Sequence, residues 1–204
     1  MTETAQKTSL AVILLAAGPS SRLGESKQLV EFRGECLVRR AARLALGLEP
    51  ERLIVVTGCE AQQVAARLEN LPVETVFNRD WASGMGASIA AGARALSRSA
   101  DGVLLMVCDQ WQLRGADLDR LVERWRTQPQ RIVLACWREG RAFVTGPPVI
   151  FPTRLLQELK AIPPDRGARQ VIDQHMDDVE FVELPNAAED LDRPEDLEAL
   201  RARD

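Results

Sequence analysis

Two basic side chains in a glycine-containing loop are the first candidates for chemistry in this sequence. The loop follows an apolar run and reads LAAGPSSRLGESK over residues 15–27. Its small residues let backbone N–H groups approach a bound anion closely. Arg22 offers a planar fork for phosphate oxygens, and Lys27 offers a compact positive charge. These features favour phosphate binding. A solvated loop whose charged side chains bind no ligand would have the same composition.

Two aspartates are candidate metal ligands. Asp109 ends the apolar run 102–108, and Mg²⁺ prefers one or two carboxylates together with phosphate oxygens and water. Asp192 lies in the segment DLDRPEDL at 190–197. Each has a plainer interpretation, because Asp109 could cap the following turn and the acidic segment suits a helix start.

A second glycine-rich segment, NRDWASGMGASIAAG at 78–92, reads as a strand end, a turn and a helix start. Ser83 is a candidate N-cap, and the backbone donors of a helix start suit an anion or a base edge. A helix cap that only supports packing is the alternative. A dinucleotide fingerprint, and with it a dinucleotide-dependent oxidoreductase, is disfavoured because Ile89 stands where the third glycine should fall.

The elements that must position these residues alternate between apolar runs and amphipathic segments. This alternation predicts an α/β fold: a Rossmann-like, doubly wound, mostly parallel sheet with helices on both faces. Ligands of such sheets bind beyond the carboxyl ends of the strands. The chain is predicted to be a single domain over 1–204, with 1–8 as a flexible tail. Predicted strands are 10–16, 52–57, 73–77, 102–108, 131–136, 147–151 and 179–184, and predicted helices are 36–47, 60–69, 86–97, 115–127, 152–160, 168–175 and 194–202.

Composition narrows the classes of function. The net charge of −4, from 26 basic and 30 acidic residues, does not favour general binding to nucleic acid or to an anionic membrane. Four cysteines without a CxxC pair and a single histidine argue against a zinc site. The apolar run 10–17 is too short to span a bilayer, and its flanks suit a signal peptide poorly. Reduced thiols in a cytoplasm are therefore expected.

Four segments together resemble one family. LAAGPSSRLGESK is similar to the LAAGxSxRMGxxK signature of the MobA-like nucleotidyltransferases, and in particular of the MocA-type molybdenum cofactor cytidylyltransferases. The segment at 78–92 resembles the family's N-x-x-W-x-x-G-M-x-x-S, CDQW resembles CDQP, and DLDRPEDL resembles DIDTPEDL. The motifs occur in the family's order over about residues 10–200. Trp111 in place of proline predicts a less rigid loop after Asp109.

The resemblance implies a nucleotide-diphospho-sugar transferase-like fold and transfer of a nucleoside monophosphate from an NTP to a phosphorylated acceptor. CTP is favoured because the Ala16-Ala17 pair resembles the CTP-using branch. The implied acceptor is molybdopterin, the implied metal is Mg²⁺ or Mn²⁺ on Asp109 and Asp192, and a molybdenum hydroxylase is the implied recipient. Implied catalytic residues are Arg22, Lys27 and Asp109. Implied nucleotide contacts are Leu15, Ala16, Ala17, Gly18, Arg22, Lys27, Gly84, Met85, Ser88 and Asp109.

Two further segments are expected to face the acceptor. TGPPVIF at 145–151 resembles the family's GHPVLF, but Pro147 stands in place of histidine. PDRGARQVI at 164–172 resembles GDxGAR, with Pro164 for the glycine. Gly146, Pro147 and Arg169 are the candidate acceptor contacts, and Arg169 could equally be a surface residue. Two alternatives stay open: a nucleotidyltransferase for a sugar phosphate or alcohol phosphate, and a non-catalytic NTP-binding accessory protein of a molybdenum enzyme.

Overall fold

The computed structural model describes residues 8–96 and 100–203. Residues 1–7 of the predicted tail, and Ser97 at the end of the predicted helix 86–97, lie outside these ranges. Every predicted strand and helix is otherwise present. The strands are β1 (Leu10–Ala16), β2 (Glu31–Phe32), β3 (Glu35–Cys36), β4 (Arg52–Thr57), β5 (Glu74–Phe77), β6 (Gly102–Val107), β7 (Ile132–Glu139), β8 (Ala142–Pro152) and β9 (Val179–Glu183). The helices are α1 (Leu37–Leu46), α2 (Ala61–Arg67), α3 (Met85–Ala95), α4 (Gly115–Thr127), α5 (Leu156–Lys160), α6 (Arg169–Gln174) and α7 (Pro194–Arg201).

The main sheet has the strand order β5-β4-β1-β6-β8-β7-β9. Only β8 runs antiparallel to its neighbours among the strands of this sheet in the described ranges. β1 lies between β4 and β6 inside the sheet, and all seven of its residues are buried because helices cover both faces. Leu15 near the end of β1 lies opposite Val56 of β4 and Val107 of β6. These strands therefore end together at one edge, and the predicted mostly parallel sheet is confirmed.

Side chains of β1 alternate between two cores, one on each face of the sheet. Val12 and Leu14 pack in the core that includes α1 and α4. Ile13 and Leu15 pack in the core that includes α3, α5 and α6. Helix α3 approaches β1 so closely that a Cβ added at Gly92 would lie 2.6 Å from Ile13 Cγ2. This close approach fixes the start of α3 beside the end of β1.

Two hairpins were not predicted. In the first, β2 and β3 have two residues each, too few to show an alternating pattern. Arg33 and Gly34 form its turn with φ values of +54° and +73°, as in the tight turns that suit a hairpin. In the second, β8 pairs with β7 from Ala142 onwards, five residues before the predicted strand at 147–151. Gly146, Pro147 and Pro148 interrupt the β-branched pattern, so the sequence does not reveal the full extended strand.

The helices in the described part of the chain do not combine the length and the apolar character that crossing a bilayer requires.

Candidate active site

A cavity of about 480 Å³ opens where β1 and β6 end. The loop after β1, the turn before α3 and the residues after β6 form its walls, as the parallel sheet predicts. The lining residues are Leu15, Ala17, Gly18, Pro19, Lys27, Gln28, Trp81, Ala82, Gly84, Met85, Ser88, Val107, Cys108 and Asp109. Three segments that are distant in sequence therefore meet around one space, which we call the nucleotide cavity.

Most of the predicted nucleotide contacts line the nucleotide cavity, but Ala16 and Arg22 do not. Ala16 is 1% exposed, and its side chain packs in the core on the opposite face of the sheet. Of the Ala16-Ala17 pair, only Ala17 lines the nucleotide cavity. Arg22 lines an adjoining space of about 150 Å³, together with Lys27 and Asp192.

A network of ion pairs connects the predicted catalytic and metal-binding residues. The ammonium of Lys27 donates hydrogen bonds to Asp109 Oδ2 and to Asp192 Oδ1, the latter at 3.1 Å. Arg22 Nη2 donates to Asp192 Oδ2 at 2.9 Å. Lys27 and Asp192 are 165 residues apart in sequence. The fold therefore brings the two predicted carboxylates to one cation, and we call Lys27, Asp109 and Asp192 the charge cluster.

Burial and neighbouring charges shift the pKa values of Lys27, Asp190 and Cys108. Burial acts to lower the pKa of Lys27, but attraction and hydrogen bonding from Asp109, with a further contribution from Asp192, outweigh it and raise this pKa well above its ordinary value. Lys27 is therefore an ammonium at physiological pH. Loss of hydration, followed by the negative charges of Asp109 and Asp192, raises the pKa of the neighbouring Asp190 to about 7. Burial and the charge of Asp109 raise the pKa of Cys108, which therefore remains a neutral thiol.

The charge cluster fits a divalent cation that arrives with phosphate groups. Asp109 is 8% exposed, and its Oδ1 is buried with no hydrogen-bond partner in the described structure. Such an atom is stabilised by a cation. Within residues 8–96 and 100–203, no three His, Cys, Asp or Glu side chains are grouped so as to hold a metal. Two carboxylates completed by phosphate and water oxygens form a donor set that suits Mg²⁺ or Mn²⁺.

Gln28 shapes the loop that carries Lys27, and it was missed in the sequence. This side chain is 1% exposed, and its Nε2 donates to the Gly18 carbonyl at 2.8 Å. Its Oε1 accepts from Ser26 at 2.8 Å and from Ser20 at 3.3 Å, while Ser20 Oγ accepts from the Lys27 N–H at 3.0 Å. A glutamine in a polar loop gives no sequence signal of burial, so only the fold reveals this role.

The turn before α3 is held by close backbone contacts. Gly84 has φ +126°, and a Cβ there would lie 2.4 Å from the Pro164 carbonyl oxygen. Gly86 N donates to the same carbonyl at 3.1 Å. The predicted N-cap Ser83 was wrong, since Gly84 occupies that position without a side-chain bond. The peptide groups of this turn are therefore fixed at the cavity wall.

Ser88 is a buried hydroxyl in the same wall. Asn78 Nδ2 donates to Ser88 Oγ at 3.0 Å, and Asn78 Oδ1 accepts from the Asp80 N–H at 3.0 Å. Both side chains are 5% exposed. Since Asn78 supplies the bond that Ser88 Oγ accepts, the hydroxyl proton of Ser88 can be offered to a ligand.

Trp111 fixes the loop after Asp109 by packing, so the predicted loss of rigidity was wrong. It is 2% exposed and stacks edge to face on Phe32, with centroids 5.2 Å apart. Both belong to a third core cluster with Leu191 beside Asp192 and with Leu23 from the loop after β1 (residues 17–27), here called the phosphate loop after its predicted role. Leu191 N also donates to the Asp109 carbonyl at 3.1 Å. The cluster thus joins the segments that carry Lys27, Asp109 and Asp192.

A second cavity of about 330 Å³, here called the acceptor cavity, adjoins the nucleotide cavity and shares Leu15, Met85 and Val107 with it. All three predicted acceptor contacts, Gly146, Pro147 and Arg169, line it. Arg169 Nη1 donates to Thr145 Oγ1 at 2.9 Å, and Arg169 Nε donates to Asp173 at 2.7 Å. The other lining residues are mostly apolar: Leu15, Met85, Ile89, Leu105, Val107, Leu134, Val149, Gly167, Ala168 and Ile172.

This sheet order, with a cavity at the strand ends, defines a nucleotide-diphospho-sugar transferase-like α/β protein. Comparison with protein families gives the particular group. The chain belongs to the MobA-like NTP transferase family, whose domain model matches residues 12–179. This is a family of nucleotidyltransferases, and the resemblance inferred from the motifs is thereby confirmed.

Two curated relatives span nearly the whole chain. Nicotine blue oxidoreductase of Paenarthrobacter nicotinovorans is 32% identical over 92% of this chain and 94% of its own length. Purine catabolism protein PucB of Bacillus subtilis is 26% identical over 93% of this chain and 94% of its own length.

Solved structures agree on the fold. Rv0371c of Mycobacterium tuberculosis has a TM-score of 0.81 and 25% identity, covering 96% of this chain and 98% of its own. A complex of the same protein with manganese has a TM-score of 0.76 at 23% identity, covering 95% and 98%. A synthetase for CMP-linked 2-keto-3-deoxy-manno-octonic acid, in complex with CTP, has a TM-score of 0.75 at 15% identity, covering 96% and 98%.

Proposed function

We propose that this protein is a cytoplasmic molybdenum cofactor cytidylyltransferase. It transfers CMP from CTP to the terminal phosphate of molybdopterin, or of its molybdenum-loaded form, and releases pyrophosphate. The observation that carries the proposal is the charge cluster of Lys27, Asp109 and Asp192, of which Lys27 and Asp109 line the nucleotide cavity. A molybdenum hydroxylase is the proposed recipient of the product.

The reaction needs charge stabilisation more than proton transfer. A phosphate oxygen of the acceptor forms a bond to the α-phosphorus of CTP, and the bond from that phosphorus to the bridging oxygen breaks. The electron pair leaves with pyrophosphate. Because the attacking phosphate is already an anion, no general base is required. Catalysis then rests on positioning and on fixed positive charge near the transferring group.

The residues of the charge cluster, together with Arg22, have two roles in this scheme. Asp109 and Asp192 would hold Mg²⁺ or Mn²⁺, which when bound neutralises phosphate charge and orients phosphate oxygens. Lys27 and Arg22 donate to the phosphate groups that gain charge as pyrophosphate leaves. Backbone N–H groups of the loop near Gly18 donate hydrogen bonds to the phosphates of CTP. The manganese complex of Rv0371c supports a divalent metal in a protein of the same fold.

The remaining walls suit a small base and a second anion. The Gly84-Met85 turn and the Ser88 hydroxyl face the nucleotide cavity, and Ala17 narrows it. A cytosine requires less room than a guanine, which favours CTP. Arg169 lies on the rim of the acceptor cavity, where its guanidinium could hold the acceptor phosphate.

The test is a product assay with purified protein, Mg²⁺, molybdenum-loaded pterin cofactor and each NTP in turn. We expect cofactor-dependent release of pyrophosphate, and formation of the cytidylylated product, with CTP. Asp109→Asn should abolish turnover, whereas Asp119→Asn, the same change at an exposed position of α4, should leave it unchanged. Normal turnover by folded Asp109→Asn protein would rule out the mechanism.

The same assay separates the alternative acceptors. Pyrophosphate release with a sugar phosphate or alcohol phosphate, but not with the pterin, would support a nucleotidyltransferase that uses a different acceptor. Binding of CTP without pyrophosphate release for any acceptor would instead indicate an accessory protein.

A redox reaction is the second candidate, because a relative with 32% identity is named nicotine blue oxidoreductase. The apolar lining of the acceptor cavity would suit a largely apolar substrate. Hydride transfer gives no role to the charge cluster, so we favour nucleotidyl transfer. Oxidation of NADH or NADPH that depends on nicotine blue, and that persists in Asp109→Asn protein, would favour the redox function instead.

A further inference from the structure

We infer that Lys27 competes with a divalent cation for Asp109 and Asp192, so that the cation binds tightly only together with an NTP whose phosphates accept the Lys27 ammonium. This inference rests on the metal and nucleotide roles in the proposed function. It adds an order of binding and a second role for Lys27.

Basic side chains of the protein already bind three of the four carboxylate oxygens of Asp109 and Asp192. Lys27 donates to Asp109 Oδ2 and to Asp192 Oδ1, and Arg22 donates to Asp192 Oδ2. In the described structure, Asp109 Oδ1 is therefore the one oxygen of these two carboxylates without a partner. A metal that bridged both aspartates would have to take the place of the Lys27 ammonium.

Displacing Lys27 is unfavourable unless a new anion receives it. The Lys27 side chain is 20% exposed, so water can solvate its ammonium only in part. A divalent cation placed beside it would repel it at short range, where the protein screens charge poorly. Triphosphate oxygens remove this obstacle because they supply negative charge to both cations at once.

The loop provides a place to which Lys27 can move. The space of about 150 Å³ next to the nucleotide cavity is lined by Gly18, Arg22, Lys27 and Asp192. A phosphate group in this space would lie between the two basic side chains. Lys27 can then exchange carboxylate oxygens for phosphate oxygens by a change of side-chain conformation, while Gln28 keeps the backbone of the loop in place.

The test measures binding of Mn²⁺ to nucleotide-free protein by the electron paramagnetic resonance signal of free Mn²⁺. Lys27→Met removes the ammonium at similar length, and Lys160→Met is the matched control on α5. We expect Lys27→Met to bind Mn²⁺ at least about tenfold more tightly than the unmodified protein, which is the usual scale of effects from groups around a metal site. Lys160→Met should not differ from the unmodified protein.

Two further measurements fix the site and the order of binding. Adding Asp109→Asn to Lys27→Met should remove the gained Mn²⁺ affinity. A non-hydrolysable CTP analogue should increase the Mn²⁺ affinity of unmodified protein by a larger factor than that of Lys27→Met. Lys27→Gln replaces Lys27→Met if the latter does not fold.

Equal or weaker Mn²⁺ binding by the Lys27 variants would overturn the inference. So would Mn²⁺ binding by unmodified protein that is as tight without the CTP analogue as with it. Because no acceptor or turnover is involved, the result is independent of the proposed reaction: gained Mn²⁺ affinity without any cytidylyl transfer would reject the reaction alone.

Discussion

Trp111 stacks edge to face on Phe32, with the ring planes inclined at 76°, and this contact connects the loop after Asp109 to a hairpin that was not predicted. Phe32 lies on β2, only a few residues beyond Lys27. The Arg40 side chain donates to the carbonyls of Trp111 and Leu113, at 3.3 Å and 3.0 Å. An aromatic pair outside both cavities thus packs between the segments that carry the charge cluster.

We expect Trp111→Ala to lower both stability and nucleotide affinity. Removing a buried tryptophan typically costs about 3–5 kcal/mol of unfolding free energy. Trp125→Ala, at a fully buried position in the core around α4, should cost a similar amount but leave CTP affinity unchanged. Denaturant unfolding and CTP titration measure the two quantities. Equal losses of affinity in both variants would show that Trp111 has no special link to the site.

Lys27→Ala and Arg22→Ala should each raise the barrier to transfer by about 2–4 kcal/mol, the usual loss for one charge-stabilising donor. The measurement is kcat with CTP and saturating acceptor. Lys160→Ala removes a lysine at a distance from the site and should keep full activity. Losses below about tenfold for Lys27→Ala or Arg22→Ala would show that the loop binds without stabilising the transition state.

Gln28→Leu should loosen the phosphate loop without removing any charge. The Gly18 carbonyl and the Ser20 and Ser26 hydroxyls lose their common partner, which costs about 1–3 kcal/mol for buried groups. KM for CTP should rise as well, since Lys27 is carried by this loop. Gln63→Leu, at an exposed position of α2, is the control. An unchanged KM in Gln28→Leu would leave this residue a purely structural role.

Gly84→Ala should weaken nucleotide binding because the turn cannot accept a side chain. Its φ of +126° is unfavourable for alanine, and the added Cβ would lie 2.4 Å from the Pro164 carbonyl oxygen. Gly115→Ala at the start of α4 is the matched control, since a Cβ there meets nothing within 4 Å. Thermal unfolding and CTP titration of both variants provide the comparison. Wild-type affinity in Gly84→Ala would mean that the turn is free to move.

The sequence was sufficient for the parallel part of the sheet and for the position of Asp109. Buried β-branched runs separated by amphipathic segments predict β1, β4 and β6, and parallel strands place their carboxyl ends at one edge. That edge accounts for the meeting of the phosphate loop, the Gly84 turn and Asp109. Strand alternation also separates Ala16 from Ala17, although the motif treats them as a pair.

Other parts depend on contacts that leave no local pattern. The strands of the β2–β3 hairpin are too short for periodicity to detect. The pairing of Lys27 with Asp192 joins segments 165 residues apart. Burial of Gln28 and Trp111 follows from tertiary packing, which overrides the local expectation of a solvated glutamine and a loosened loop.

The wall of Leu15, Met85 and Val107 is common to the two cavities. Pro147 and Arg169 line only the acceptor cavity, so a substitution at either position changes no residue that lines the nucleotide cavity. Under the proposed reaction, the preference for the acceptor can therefore be altered without altering the nucleotide site.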